Sequence, residues 1–223
     1  MTEKTISLTT ETRSREREAD QYQIILSLCY ERALSAALLT FILIFTLIYG
    51  TLENPFIYSF SNIGNYFHYR ELYIFWAFIT GFTLYFSVIS LFELENYQKT
   101  YARLSITGVP FFIIVTALIP SLETIPFWRE VHRWTTFFFV MCMIFSIHPF
   151  LLDLAERKPY LSPLLGKWQF AILAGCMLLL VFQGQTGMFE LWFFVMTCSL
   201  LIYLVWFLFS EALENVSISP GGK

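Results

Sequence analysis

The sequence predicts an all-α polytopic membrane protein with six transmembrane helices and both termini in the cytosol. Of its 223 residues, 57% are hydrophobic and only 14% are charged, whereas soluble domains carry about 25% charged residues. So few charges could not cover the surface of a soluble core, and several apolar runs approach or exceed the ~18 residues that indicate a bilayer span. The net charge of −3 includes no single-sign block of the kind that indicates a nucleic-acid partner.

Six apolar segments account for the predicted spans. They cover residues 33–50, 72–92, 104–120, 134–154, 168–182 and 189–209. Charged residues or a Gly-Gln turn separate the segments, which favours six spans over four or five. The third and fifth are short, so we expect their helices either to tilt less or to extend beyond these boundaries.

Polar segments flank this predicted transmembrane domain, which covers residues 21–210 and whose first helix could begin near Gln21. Residues 1–20 mix both charges and contain no apolar core of a secretory signal. We predict that they form a disordered cytosolic tail or a frayed approach to the first helix. Residues 211–223 are predicted to be a second cytosolic tail.

The distribution of lysine and arginine predicts the orientation, because cytosolic loops carry an excess of these residues. With a cytosolic amino terminus, the opposite side holds only Arg70, Arg129 and Arg133. The cytosolic side then holds the other eleven: Lys4, Arg13, Arg15, Arg17, Arg32, Lys99, Arg103, Arg157, Lys158, Lys167 and Lys223.

Two polar segments fall on the predicted non-cytosolic side. The first, in the stretch YSFSNIGNYFHYRELY, contributes Ser61, Asn62, Asn65, His68, Arg70 and Glu71. The second, in PSLETIPFWREVHRW, contributes Glu123, Arg129, Glu130, His132 and Arg133. If these segments pack together, they form a polar cap over residues 59–71 and 123–133.

The predicted cap suggests a binding role, and Ser61, Asn62, Asn65, His68, Arg70, Arg129, His132 and Arg133 are its candidate ligand-binding residues. Arginine grips phosphate or carboxylate in a bidentate way, and lipid head groups lie at this depth. We therefore expect a protein without classical catalysis that recognises a lipid head group or a protein partner. The alternative is a cap whose charges satisfy one another. Gly64 is expected to supply a turn with positive φ, where Asn62 and Asn65 satisfy nearby backbone groups.

Metal chemistry is an alternative with few candidate ligands, and no metal or other cofactor is predicted. A membrane hydrolase or transferase could use His68, His132 and a carboxylate, either Glu123 or Glu130. His148 cannot join such a site, because it lies sixteen residues beyond His132, or roughly 24 Å along a helix.

A third function class depends on polar residues near the cytosolic end of the fourth span. His148 and Asp153 could serve a proton-coupled transporter, since intramembrane ionisable residues are functional candidates. His148 could instead satisfy backbone carbonyls freed by Pro149. Glu190 begins the sixth span, where its acid is expected to be hydrated and to favour a helix amino terminus.

Two motifs carry a resemblance to a known family. The run S-N-I-G-N precedes an aromatic-rich second span, and the stretch REVHRW places a histidine at the start of the fourth. In these features the chain resembles the DRAM-type proteins and their relatives, the post-GPI-attachment membrane factors and bacterial six-span proteins. The resemblance implies six spans and a non-enzymatic or uncharacterised membrane role, sometimes connected with lipid handling.

Overall fold

The structure is a computed structural model that describes residues 2–121 and 125–218, with side chains for residues 21–121 and 125–217. Some residues used in the sequence analysis lie outside these side chains: Lys4, Arg13, Arg15, Arg17, Glu123 and Lys223. The described residues form seven helices and no strand. These are α1 (Thr2–Gly50), α2 (Phe60–Tyr66), α3 (Arg70–Leu94), α4 (Thr100–Leu118), α5 (Pro126–Arg157), α6 (Ser162–Gln183) and α7 (Gly187–Ile218).

Six of the seven described helices are long and apolar enough to cross a membrane, which confirms the predicted all-helical, six-span fold. The candidate spans are Gln21–Gly50, Arg70–Leu94, Thr100–Leu118, Pro126–Arg157, Ser162–Gln183 and Gly187–Ser217. The third and fifth spans begin several residues before the predicted boundaries, which is one of the two outcomes expected for their short apolar runs. With six spans, the amino-terminal part of α1 and the carboxyl-terminal part of α7 fall at the same end of the bundle.

The backbone of the amino-terminal segment differs from the predicted disordered tail. Helix α1 begins at Thr2, so the backbone of residues 2–20 continues the first span as a helix. The segment is rich in glutamate and arginine, which are strong helix formers. The other form considered for this segment, a frayed approach to the first helix, stays a prediction.

Each long helix packs against two main neighbours, in the order α6, α7, α1, α3, α4, α5, and α5 in turn contacts α6. Helix α1 packs against α7 and α3, α3 packs against α4, and α4 packs against α5. Helix α6 attaches mainly to α7, where Trp192 Nε1 donates to the carbonyl oxygen of Ala171 at 3.1 Å. Gly175 allows this contact, because a Cβ atom there would lie 2.1 Å from the Trp192 indole nitrogen. Helices α5 and α7 approach each other only sparsely, which leaves space between them.

The loops between the helices define the two ends of the bundle. We call the end formed by residues 51–69, 119–121, 125 and 184–186 the cap end. The opposite end, formed by residues 95–99 and 158–161 with the amino-terminal part of α1 and the carboxyl-terminal part of α7, is the terminal end, which is the predicted cytosolic side.

Candidate functional site: a polar cavity at the cap end

A cavity of about 220 Å³ lies at the cap end, where α2, α5 and the start of α7 meet. We call it the cap cavity. Its polar lining includes Ser59, Ser61, Asn62, Ser121, Arg129, His132, Arg133, Gln185 and Glu190. The two polar segments singled out in the sequence therefore share one cavity. Five of the eight candidate ligand-binding residues lie in its wall.

Aromatic side chains form the deep wall of the cap cavity. Trp76 stacks on Tyr73 and meets Phe60 edge to face, with ring centroids 5.8 and 5.1 Å apart. Trp76 Nε1 donates to Thr46 Oγ1 at 2.9 Å, and the Tyr49 hydroxyl donates to the Phe60 carbonyl oxygen at 2.8 Å. Because these polar atoms already have partners, the aromatic wall is fixed in place and offers a ligand mainly ring surface.

The short helix α2 carries the S-N-I-G-N motif to the cavity. Ser59 is its N-cap, and its Oγ accepts from the Asn62 backbone N–H at 3.2 Å. The Phe60 backbone N–H donates to Glu190 Oε2 at 2.5 Å. A carboxylate at a helix amino terminus is favourable, because it satisfies a free N–H and the helix dipole. Glu190 thus holds α2 from a helix 130 residues away in the chain.

The expectation for Gly64 is wrong. Gly64 lies inside α2, and among described glycines only Gly184 has a positive φ. Glycine is required at position 64 for close packing, because a Cβ atom there would lie 2.9 Å from the Tyr73 Cβ. Helix α2 thereby presses against α3, and the positive φ of 65° falls on His68 after the helix.

The first turns of α5 present two arginines and a histidine to the cavity. Arg129, His132 and Arg133 are spaced by three and four residues, which places them on one helix face. Arg133 Nη1 lies 3.1 Å from a carboxylate oxygen of Glu130, and both side chains are about half exposed. Arg129 Nε is buried and has no hydrogen-bond partner among the residues that the structure describes.

His132 is held by the end of α4. Its Nδ1 lies 2.9 Å from the Thr116 carbonyl oxygen and 3.2 Å from that of Ile119. A carbonyl oxygen can only accept, so Nδ1 carries the hydrogen. The ring is buried, and Nε2 is left as the nitrogen that a ligand in the cavity can reach.

Three candidate residues of the first polar segment lie outside the cavity wall. Arg70 joins three elements, donating through Nη1 to Asn65 Oδ1 at 2.6 Å and through Nη2 to the Leu118 carbonyl oxygen at 2.7 Å. The positive charge of Arg70 is also favourable at this position, because the carboxyl end of α4 carries the negative end of the helix dipole. Asn65 Nδ2 donates to the Ser61 carbonyl oxygen, as expected for an asparagine that satisfies local backbone. His68 is exposed.

His148 and Asp153 lie in different surroundings. His148 is exposed on the lining of a second cavity between α5, α6 and α7. Asp153 pairs with Arg157 and lies 3.8 Å from Lys99 Nζ at the terminal end. The structure therefore gives Asp153 cationic partners of its own, and the pairing needed for a proton relay with His148 stays a prediction.

The terminal end is an ion-pair network. Lys158 Nζ donates to both Glu95 and Glu211 at 2.7 Å, and Arg157 Nη1 donates to the Glu95 carbonyl oxygen at 2.8 Å. Burial alone would lower the pKa of Lys158, but its hydrogen bonds to the two carboxylates outweigh burial and leave that pKa raised. These contacts join the ends of α3, α5 and α7.

No site with three metal-ligand side chains is present within residues 21–121 and 125–217. His132 lines the cap cavity with Glu190, whereas His68 is exposed outside its wall. Glu123, one carboxylate proposed for a metal site, lies outside the described residues.

Sequence reasoning missed Ser59 and the contact that Glu190 makes. Ser59 was detectable, because a serine three residues before the bonded N–H of Asn62 is a typical N-cap pattern. Glu190 was expected to be hydrated at a helix amino terminus. It lies in the first turn of α7, but it is only partly exposed, and the helix it caps is α2. No local signal could connect residues 60 and 190.

Comparison with known proteins finds no match among family models, curated proteins or solved structures. The resemblance to DRAM-type proteins therefore stays a prediction that depends on the two short motifs.

Proposed function

We propose that this multi-pass membrane protein recognises the anionic head group of a membrane phospholipid in the cap cavity, without classical catalysis. One observation carries the proposal. Arg129 and Arg133 line the same cavity, and the buried Nε of Arg129 has no partner among the described residues. A buried donor without a partner costs about 1–3 kcal/mol, and a phosphate oxygen in the cavity would remove that cost.

The chemistry of arginine favours phosphate over a neutral ligand. The guanidinium group presents several N–H donors in a planar fork that matches phosphate or carboxylate oxygens. The cavity lies where the membrane-spanning helices end, which is the depth of the lipid head groups. A phospholipid phosphate can therefore reach the two arginines without crossing either water or the bilayer core.

The cavity also offers acceptors to the rest of a head group. Glu190 uses one carboxylate oxygen for the Phe60 N–H, so its other oxygen remains for a ligand. His132 offers Nε2, since Nδ1 faces backbone carbonyls. A head group that carries hydroxyl or ammonium donors beyond its phosphate would complement both residues.

Other functions considered from the sequence have less support from the geometry. A hydrolase using His68 and His132 would need His68 inside the cavity, and it lies exposed outside the wall. A proton relay through His148 would need Asp153, which is held by Arg157. A protein partner at the cap would compete for the same arginines, and the experiment below separates it from a lipid.

The test is lipid retention by the purified protein, measured by native mass spectrometry after extraction from membranes. Replacing both cavity arginines, as Arg129→Gln with Arg133→Gln, is expected to reduce bound anionic phospholipid at least about tenfold, a loss of roughly 1.4 kcal/mol or more. Lys167→Gln is the control for loss of positive charge away from the cavity, because Lys167 is exposed near the terminal end; it removes one charge where the double variant removes two. Equal retention by the double variant and the control would contradict the proposal.

A further inference from the structure

A second cavity of about 190 Å³ lies between α5, α6 and α7, and its lining is mostly apolar, with His148, Gln169 and Thr197 as its polar residues. We call it the lateral groove. Its wall includes Met143, Ile147, Leu151, Ile172, Leu173 and Leu200. Leu151 lies eight residues after Met143, so the groove follows α5 for about 12 Å at 1.5 Å per residue.

Phe193 connects the lateral groove with the cap cavity, because its side chain lines both. The connection exists because α5 and α7 approach each other only sparsely. Helix α6 does not close the space, since Leu165 is the one buried residue of this fully described helix. Phe139 of α5 also lines the cap cavity, and its ring centroid lies 6.2 Å from that of Phe193. A ligand that extends from the arginines into the groove therefore has to pass these two rings.

We propose that the lateral groove holds an acyl chain of the phospholipid whose phosphate occupies the cap cavity. This inference rests on the proposed function and identifies the ligand as an intact lipid, which enters sideways from the bilayer, and not a soluble anion. The cap cavity is cationic and polar and the lateral groove is mostly apolar, which matches the phosphate and the acyl chain of a phospholipid. Arg129 and Arg133 face one end, and leucine, isoleucine and methionine surround the other.

The size of the groove decides between a lipid chain and a protein segment. A helix with its side chains is about 10–12 Å in diameter and would not fit in a groove of about 190 Å³. An extended strand would place unpaired backbone groups against apolar walls, at a cost of several kcal/mol for each group. A flexible hydrocarbon chain has neither problem.

The groove does not attract a chain by the hydrophobic effect, because bilayer lipid is as apolar as leucine. The groove instead tethers the lipid, because it holds the acyl chain in one place. A chain seated beside Phe193 holds the attached phosphate near Arg129 and raises its local concentration there. A soluble phosphate compound has no such tether, so it should bind far more weakly than a lipid with the same head group.

Two tryptophan substitutions on α6 test the inference. Leu173 lines the groove, whereas Leu178 does not, and the two residues are 55% and 57% exposed. In full-length protein, Leu173→Trp is expected to lower retention of long-chain phosphatidylglycerol about tenfold, and Leu178→Trp to leave it unchanged. Glycerol 3-phosphate is expected not to displace the lipid from the unmodified protein at equal concentration.

The outcomes separate this inference from the proposed function. If Leu173→Trp retains lipid like Leu178→Trp while the Arg129→Gln and Arg133→Gln variant loses it, the groove inference is overturned and head-group recognition stands. Displacement by equal glycerol 3-phosphate would also overturn it, because the chain would then add nothing. If neither the arginine variant nor Leu173→Trp loses lipid, both proposals fall.

Discussion

The two ends of the bundle use the same charged residue types for different purposes. At the terminal end, Lys158 is shared between Glu95 and Glu211, and Arg157 pairs with Asp153. At the cap end, Arg129 and Arg133 line a cavity that they share with Glu190 and His132. Charges that satisfy one another stabilise a fold, whereas a buried donor without a partner beside a cavity indicates a place for a ligand.

Arg70 shows that this difference does not follow from position alone. It lies at the cap end with the two cavity arginines, yet it donates to Asn65 and to the Leu118 carbonyl oxygen. Arg70 therefore stabilises the fold, as the charged residues of the terminal end do. Near the terminal end, Arg103 Nη2 also lacks a hydrogen-bond partner among the described residues, but it lies 2.8 Å from a carboxylate oxygen of Glu93. The contrast is therefore between arginines with a protein carboxylate or carbonyl beside them and Arg129, whose Nε has no described partner.

The largest expected effect is on stability, at the terminal end. Lys158→Met removes a partly buried cation and leaves Glu95 and Glu211 without it, so we expect a loss of about 3 kcal/mol. The matched change at the cap end, Arg129→Gln, should not destabilise the lipid-free protein and should stabilise it slightly, because it removes a buried Nε donor that has no described partner. Thermal unfolding in detergent measures both, and equal destabilisation would remove the contrast.

The same network predicts a dependence on pH. The folded-state pKa of Lys158 is raised, so its contribution to stability is complete below its unfolded pKa of about 10.4. That contribution is lost as the pH rises through the folded-state value. Melting curves taken between neutral and strongly alkaline pH should fall more steeply for the unmodified protein than for Lys158→Met, and parallel curves would contradict this.

A smaller effect is expected where α2 packs under the cap. Gly64→Ala places a methyl group 2.9 Å from the Tyr73 Cβ, and such overpacking costs about 1–3 kcal/mol. Gly166→Ala is the control, because nothing lies within 4 Å of a Cβ atom there and alanine is the better helix former by about 1 kcal/mol. Thermal unfolding should rank Gly64→Ala below the control, and the reverse order would show that α2 is not closely packed.

The sequence predicted the spans well because the bilayer imposes length and hydropathy on each one separately. It failed for α2, whose seven residues are stabilised by contacts that no local pattern contains. Glu190 caps this helix from 130 residues away, and Gly64 is required by Tyr73 of the next helix. In the sequence alone, Gly64 with an asparagine nearby on each side is typical of a turn. Only the position of Tyr73 shows that the glycine is needed for packing.

The candidate site was predicted only in part, for the same reason. Arg70 and Arg129 look alike in the sequence, since each lies a few residues before a predicted span on the predicted non-cytosolic side. Their roles differ because Leu118 lies beside Arg70 and the cavity lies beside Arg129. Phe193 was hidden among the apolar residues of α7, where nothing distinguishes a residue between two cavities from one that faces lipid.

The most direct test of the account is a high-resolution density map of the protein in lipid nanodiscs that contain anionic phospholipid. We expect phosphate density within hydrogen-bonding distance of Arg129 Nε, continuous with a chain that passes Phe193 into the lateral groove. A cap cavity that contains only water in such a map, with Arg129 paired to an acidic residue of the protein, would contradict the account.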